Sequence, residues 1–137
     1  MKVKITIETR QTVNGETESL THTATGILRE QARDRHSLTY LLDGIHHEMF
    51  IDLPEHEIRV IRNWDEKNVL VYHENVHHVM DYQTPVGGMQ LGFNTKYLEI
   101  DRIHSDTVLS ILIVYQVTQF GNPVSDNEVR IKLTEMS

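Results

Sequence analysis

Apolar and polar residues alternate most clearly near the C-terminal end of the chain. Val129, Ile131 and Leu133 are separated by charged residues. Because successive side chains of a strand point to opposite faces, this alternation predicts a strand with one face in a core. The preceding segment carries a matching apolar stripe, formed by Leu109, Ile111, Ile113, Tyr115 and Val117. The two segments, joined across residues 120–123, predict a long β-hairpin.

The register of this hairpin follows from its apolar stripes. A symmetric turn over Gly121-Asn122, two residues that accept positive φ, would place Ile111 opposite a lysine. A shift of one residue pairs Ile111 with Ile131 and brings both stripes to one face. The short polar side chains of residues 125–127 suit the bulge that must absorb the extra residue. We therefore predict a bulge or a three-residue loop between Phe120 and Asn127.

The first hairpin of the chain is predicted from its turn. Asn14-Gly15 is a strong signal for a two-residue turn, because such turns require positive φ at both positions. This turn places Val13 opposite Glu16 and Ile7 opposite His22. The inner face of the hairpin is then apolar except for His22.

Similar short alternating segments continue between the two hairpins. They bring the total to roughly nine or ten strands, with no convincing helix, and this favours an antiparallel sandwich or barrel. A barrel removes exposed strand edges, so we expect the first and last strands to pair. The prediction is a single all-β domain over residues 1–137, an antiparallel up-and-down barrel of about eight to ten strands.

The amino-acid composition of the chain excludes several kinds of site and argues against some partners. The 137-residue chain has no cysteine, which excludes a disulfide scaffold, a thiolate zinc site and a cysteine nucleophile. Its formal charge of −7 repels phosphate backbones and argues against a nucleic-acid partner. No signal peptide or membrane-spanning segment is predicted, so we expect a cytoplasmic protein without a membrane partner.

Nine histidines suggest a metal site as an alternative. With a turn over Glu74-Asn75, His73 and His78 would be diagonal neighbours on one sheet face. His46 and His47, expected in another loop, could supply a third ligand. Surface or partly packed histidines explain the count equally well, so we expect no metal and no cofactor.

Catalytic motifs are missing from the sequence, including a G-x-S-x-G elbow, a glycine-rich phosphate loop and an H-E-x-x-H helix. Asp52 with Glu55, and Asp65 with Glu66, could form acid/base pairs, but they flank predicted turns and are typical of solvated carboxylates. Trp64 fits a packed lid over one barrel end. We therefore predict no catalytic residues and a protein that is not an enzyme.

Several short motifs also occur together along nearly the whole chain: Gly26, Leu38-Thr39-Tyr40, Val60-x-Arg62, Tyr82-x-Thr84-Pro85-x-Gly87, Thr95-x-x-Leu98, Val114-Tyr115 and Gly121-x-x-Val124-Ser125-x-Asn127. In combination they resemble the YwiB-like bacterial proteins. The resemblance implies a calycin-like β-barrel, the architecture of lipocalins, in a family of uncharacterised function. Val86 departs from the aromatic residue that this family commonly has in the bend, and the histidine pairs are not family features.

Two function classes remain. The first is a non-enzymatic barrel that binds a small, largely apolar ligand through His22, Tyr40, Phe93 and Tyr115, with His22 pointing into the barrel. Its competitor is a barrel filled by its own side chains, in which His22 is a hydrogen-bonded core residue. The second class is a protein-interaction module or homodimer that uses the outward-facing Leu112 and Val114. An interior cavity would favour the first class, and a large apolar outer patch the second.

Overall fold

The protein is an all-β barrel in a computed structural model that describes residues 1–62, 69–84, 87–102 and 107–136. Ten antiparallel strands account for most of these residues. Their bounds are β1 Lys2–Val13, β2 Glu16–Ala32, β3 Arg35–Leu42, β4 Ile45–Asp52, β5 Glu57–Arg62, β6 Val69–His73, β7 His77–Thr84, β8 Gly87–Asp101, β9 Thr107–Gln119 and β10 Asn122–Glu135.

One sheet contains all ten strands, in the order β6-β5-β4-β3-β2-β1-β10-β9-β8-β7. The first and last strands pair, as predicted, and they lie in the middle of this order. β6 and β7 are therefore the two edges, and β6 also contacts β8 across the barrel wall. The predicted antiparallel barrel is confirmed, and it is nearly closed, with a seam beside β6.

The seam replaces a hairpin that we expected over Glu74-Asn75. The turn itself is present, since Asn75 has a φ of 63° and the Val76 N–H donates to the His73 carbonyl over 3.1 Å. In the described part of the chain, however, no ladder joins β6 to β7. The strands diverge beyond the turn, because Asn75 and Val76 bond instead to the backbone of Thr95 in β8.

A carboxylate helps to hold this seam together. The Leu98 N–H in β8 donates to Glu74 Oε1 over 2.8 Å, and His56 Nε2 lies 2.6 Å from the Leu98 carbonyl oxygen. His56 belongs to the turn before β5, so the contacts connect three separate segments of the barrel wall. At the seam, side chains and single backbone hydrogen bonds therefore replace the regular ladder that joins the other neighbouring strands.

The first hairpin has the predicted register. Asn14 and Gly15 adopt φ values of 51° and 78°, which a type I′ turn requires. Val13 lies opposite Glu16, and Ile7 lies opposite His22. This prediction is confirmed.

The terminal hairpin also has the predicted register, since Ile113 pairs with Val129 and Ile111 with Ile131. Its details differ from our expectation in two respects. Phe120 and Gly121, with φ of 53° and 78°, form the turn, and Asn122 already pairs with Gln119 in the ladder. The predicted bulge between Phe120 and Asn127 is confirmed, but it lies between Pro123 and Ser125, so the extra residue comes before the segment 125–127 that we expected to hold it.

The core is densest toward one end of the barrel. Along β1, Val3 and Ile5 are completely buried, whereas Ile7 and Thr9 are half-buried. Leu109 and Leu133 complete the packed end, because Ile5, Leu133 and Leu109 are successive neighbours across β1, β10 and β9. The other end, toward the Asn14-Gly15 turn, leaves space inside. No helix within the described ranges is long and apolar enough to cross a membrane.

Candidate ligand site in the barrel interior

A cavity of about 260 Å³ lies inside the less densely packed end of the barrel. Inward-pointing side chains of eight strands surround it, from β1 to β6 and from β9 to β10. Most of its wall is apolar: Ile7, Leu42, Met49, Val60, Leu70, Ile113, Val129 and Ile131. A mostly apolar wall with a few polar groups is typical of small-molecule sites.

Seven polar residues complete the wall: Thr9, His22, Tyr40, His47, Arg62, Tyr72 and Tyr115. Among the described residues that line the cavity there is no aspartate or glutamate. The interior therefore contains one permanent cation, Arg62, together with hydroxyl and imidazole groups.

Arg62 reaches the cavity because of the alternation along β5. Ile58 and Val60 are buried on the inner face of this strand, and Arg62 follows in the same phase. Its Nε is buried and has no hydrogen-bond partner within the described ranges. No ion pair of Arg62 is found there either. A buried donor without a partner is costly, so the Nε of Arg62 stands out among the polar atoms of the wall.

Three tyrosines share the cavity with this arginine. The rings of Tyr72 and Tyr115 lie 5.1 Å apart, tilted by 56°. Burial raises the pKa of Tyr72 well above its ordinary value, and the neighbouring Tyr115 adds to that shift. Burial likewise raises the pKa of Tyr115, and it raises the pKa of Tyr40 to about 12. All three hydroxyls therefore stay protonated near neutral pH. Because the Tyr72 and Tyr115 hydroxyls hydrogen-bond to each other, one of these two is already engaged as a donor.

Tyr40 also stacks on His47, its partner in the β3–β4 ladder, with ring centroids 4.9 Å apart and an interplanar angle of 7°. His47 Nδ1 lies 2.9 Å from the Ile45 carbonyl oxygen, which can only accept, so this nitrogen is assigned the proton. The other ring nitrogen, Nε2, is then an acceptor in the neutral ring. Burial lowers the pKa of His47, with the positive charge of Arg62 acting in the same direction.

This lowered pKa predicts a pH-dependent stability. Below pH 6.5, the ordinary pKa of histidine, His47 binds a proton more readily in the unfolded chain than in the folded protein. Protonation therefore favours the unfolded chain. The contribution of His47 to the free energy of unfolding is complete above pH 6.5 and is lost progressively below it. We expect His47→Gln to reduce the loss of stability between about pH 7 and pH 5. Urea unfolding at both pH values measures the difference. Burial also lowers the pKa of His36, so this residue accounts for part of the remaining pH dependence of stability.

His46→Gln is the matched control, because His46 is exposed on the outer face of the same strand. It should change the pH dependence less than His47→Gln does, because its charge is only the smallest of the causes that act on the pKa of His47. An unchanged dependence in His47→Gln would contradict the prediction.

The structure brings three of the four predicted ligand-binding residues together. His22, Tyr40 and Tyr115 all lie on the cavity wall. No hydrogen bond to the His22 ring is found among the described residues, which leaves the ring nitrogens free to contact a ligand or water. Phe93 is buried behind Tyr115, with ring centroids 6.1 Å apart, and is not on the wall. Phe93 instead belongs to the hydrophobic core that packs beside the cavity.

Three further residues of the cavity wall, Arg62, Tyr72 and His47, were not predicted as site residues. The same period-2 rule that identified the terminal hairpin could have found two of them. Arg62 follows Ile58 and Val60 in phase, and His47 precedes Met49 and Ile51 in phase. Our assignment of the pair 46–47 to a loop was wrong, because both residues lie in β4.

The histidines do not assemble as the metal alternative required. His73 Nδ1 contacts the Glu74 carbonyl oxygen, whereas His78 Nε2 lies 3.1 Å from the Val69 carbonyl oxygen. No group of three or more metal-binding side chains lies together in the described part of the chain. The expected absence of a metal remains a prediction.

Two carboxylate pairs were considered as acid/base candidates. One has a structural role, and the other lies outside the described residues. Asp52 accepts a hydrogen bond from the Glu55 N–H over 3.0 Å and pairs with Arg35 over 3.1 Å. Asp52 thus stabilises the turn that precedes β5. Asp65, Glu66 and Trp64 lie outside the described residues, as do Pro85 and Val86 of the predicted bend.

Comparisons with known proteins support the fold and the family. The crystal structure of the ywiB protein from Bacillus subtilis is similar to this chain, with a TM-score of 0.79 and 16% sequence identity, over 99% of this chain and 92% of that one. Identity this low shows the fold alone. The comparison with curated proteins gives no match. The model of the family described as a domain of unknown function, DUF1934, matches residues 5–131, and the chain therefore belongs to this YwiB-like family.

Proposed function

We propose that this protein is a non-enzymatic binding protein that holds a small, largely apolar molecule inside its barrel. The observation that carries this proposal is the interior cavity of about 260 Å³ with its mainly apolar wall. Ligand pockets for drug-sized molecules span roughly 300–1,000 Å³, so this site suits a smaller molecule.

The size of the cavity also weighs against a barrel filled by its own side chains. A single water molecule needs only about 10–15 Å³ of cavity volume on the same scale, far less than is present here. A well-packed protein interior leaves few voids larger than a water molecule. An interior left open in this way, in a barrel whose other end is densely packed, favours an occupant.

The polar groups of the wall suit binding better than acid/base catalysis. The raised pKa values of the three tyrosines keep them as hydrogen-bond donors, and they are poor bases near neutral pH. A few donors on an apolar wall fix the orientation of a bound molecule.

A larger open cleft of about 880 Å³ lies at the barrel surface beside Met1, His36 and Arg102. It supports a ligand less well, because Arg102 forms an ion pair with Asp34 and the cleft is lined by charges of both signs. Because Arg102 is already paired, a ligand gains little from it.

The interaction-module alternative has weaker support. Leu112 and Val114 are half-exposed on the outer face of β9, but their ladder partners are Arg130 and Glu128. These charged neighbours interrupt the apolar surface that an obligate interface would need.

Thermal unfolding in the presence of 1-octanol, with native mass spectrometry of the freshly purified protein, tests the proposal. A ligand that binds the native state raises the unfolding temperature, and this rise should disappear in Val129→Trp, which fills the cavity from β10. Lys132→Trp places the same side chain on the exposed outer face of that strand and should leave the rise intact. Equal rises in both variants, or none in the wild type, would contradict the proposal.

A further inference from the structure

We propose that the molecule bound in the barrel carries one anionic oxygen group, a carboxylate or a phosphate, which the Arg62 guanidinium holds inside the cavity. This inference rests on the proposed function and specifies its ligand. It specifies the largely apolar molecule as an amphipathic anion, with the apolar part against the aliphatic wall.

The charge balance of the interior points to an anion. Arg62 is the one permanent charge among the described residues of the cavity wall, and its buried Nε has no partner in the described part of the chain. A buried N–H donor without an acceptor costs free energy, and an anionic ligand would remove that cost by accepting a hydrogen bond from it. The guanidinium fork also matches the geometry of carboxylate and phosphate oxygens.

Other arginines of the protein show the contrast. Each of four forms an ion pair with a carboxylate on the surface: Arg35 with Asp52, Arg59 with Glu57, Arg102 with Asp34, and Arg130 with Glu128. Arg62 points inward and lacks such a partner among the described residues. An arginine in the cavity wall without a carboxylate partner is available to an anionic ligand.

The surroundings of Arg62 are built of donors. Its charge acts on Tyr40, Tyr72 and Tyr115, and all four residues line the same cavity. Protonated hydroxyls can donate to anionic oxygens, whereas a cationic ligand would meet the repulsion of Arg62. The cavity therefore discriminates by charge as well as by polarity.

Isothermal titration calorimetry with three probes of equal chain length tests the inference: octanoate, octyl phosphate and 1-octanol, at pH 7. Charge-assisted hydrogen bonds predict that at least one of the two anions binds about 10- to 100-fold more tightly than octanol. The tighter of the two anions identifies the headgroup. In Arg62→Met, which keeps the length and removes the charge, both anions should bind no better than octanol.

Two further variants make the result specific. Arg59→Met removes an outward-facing arginine of the same strand and should preserve the preference for the anion. Arg62→Lys keeps the charge without the guanidinium fork and should retain part of the preference. Thermal unfolding without ligand checks folding, and Arg62→Met should unfold at the wild-type temperature or above it, because a buried donor without a partner has been removed.

The two proposals fail in different ways. If octanol binds and neither anion binds more tightly, or if Arg62→Met keeps the anion preference, the inference about the anion is wrong and the binding function stands. If none of the three probes binds to the wild type, the binding function itself is contradicted.

Discussion

Replacing Ile131 by alanine is expected to lower the free energy of unfolding by about 2–5 kcal/mol. Ile131 is 3% exposed and lies between Ile7 of β1 and Ile111 of β9 in neighbouring ladders. The substitution removes buried methyl groups and enlarges the interior cavity, which the surrounding strands cannot fill because their ladders hold them in place. Urea unfolding of both proteins measures the difference.

Lys132→Ala is the control for this prediction. Lys132 follows directly in the same strand and is exposed on the outer face, so its substitution should cost under about 1 kcal/mol. Comparable losses in the two variants would show that the inner and outer faces of β10 do not differ energetically, contrary to the register of the hairpin.

Gly26→Ala is expected to destabilise the protein by about 1–3 kcal/mol or more, through overpacking. A Cβ at this position would lie 2.7 Å from the Thr39 carbonyl oxygen, 2.9 Å from Ile5 Cδ1 and 3.2 Å from Tyr40 Cβ. The carbonyl belongs to the β2–β3 ladder and cannot move without breaking it. The presence of glycine here thus has a physical reason, the close approach of a neighbouring strand.

Thr25→Ala tests whether this loss is specific to position 26. Thr25 precedes Gly26 in β2 and is exposed on the outer face, so a cost under about 1 kcal/mol is expected from chemical denaturation. If Gly26→Ala unfolds at the same denaturant concentration as the wild type, β3 must move away more easily than the ladder suggests.

Local signals were sufficient for the two hairpins. Asn14-Gly15 specified a turn whose φ values the structure shows, and the register followed by counting outward. In the terminal hairpin the apolar stripes determined the register, because a slip of one residue would expose them. The exact turn was not predictable from those stripes, since Phe120 adopts positive φ, which few bulky residues do.

The candidate site was predicted in part, and the missing residues share one cause. His22, Tyr40 and Tyr115 were found because each lies in a long strand with an evident apolar stripe. Arg62 ends a six-residue strand, where a charged residue is ordinarily assumed to face solvent. The alternation along a strand shows to which face such a residue points. It does not show whether other side chains fill the space on that face.

By itself, the sequence determined the all-β class, the pairing of the first and last strands and the registers of both long hairpins. These follow from contacts between neighbours in the chain and from the two-residue period of a strand. Tertiary structure alone decided the position of the seam at β6 and β7, the exclusion of Phe93 from the cavity wall and the enclosure of Arg62 among three tyrosines. The reason is that each depends on how strands far apart in the sequence curve around one interior, and on how much of that interior their side chains fill.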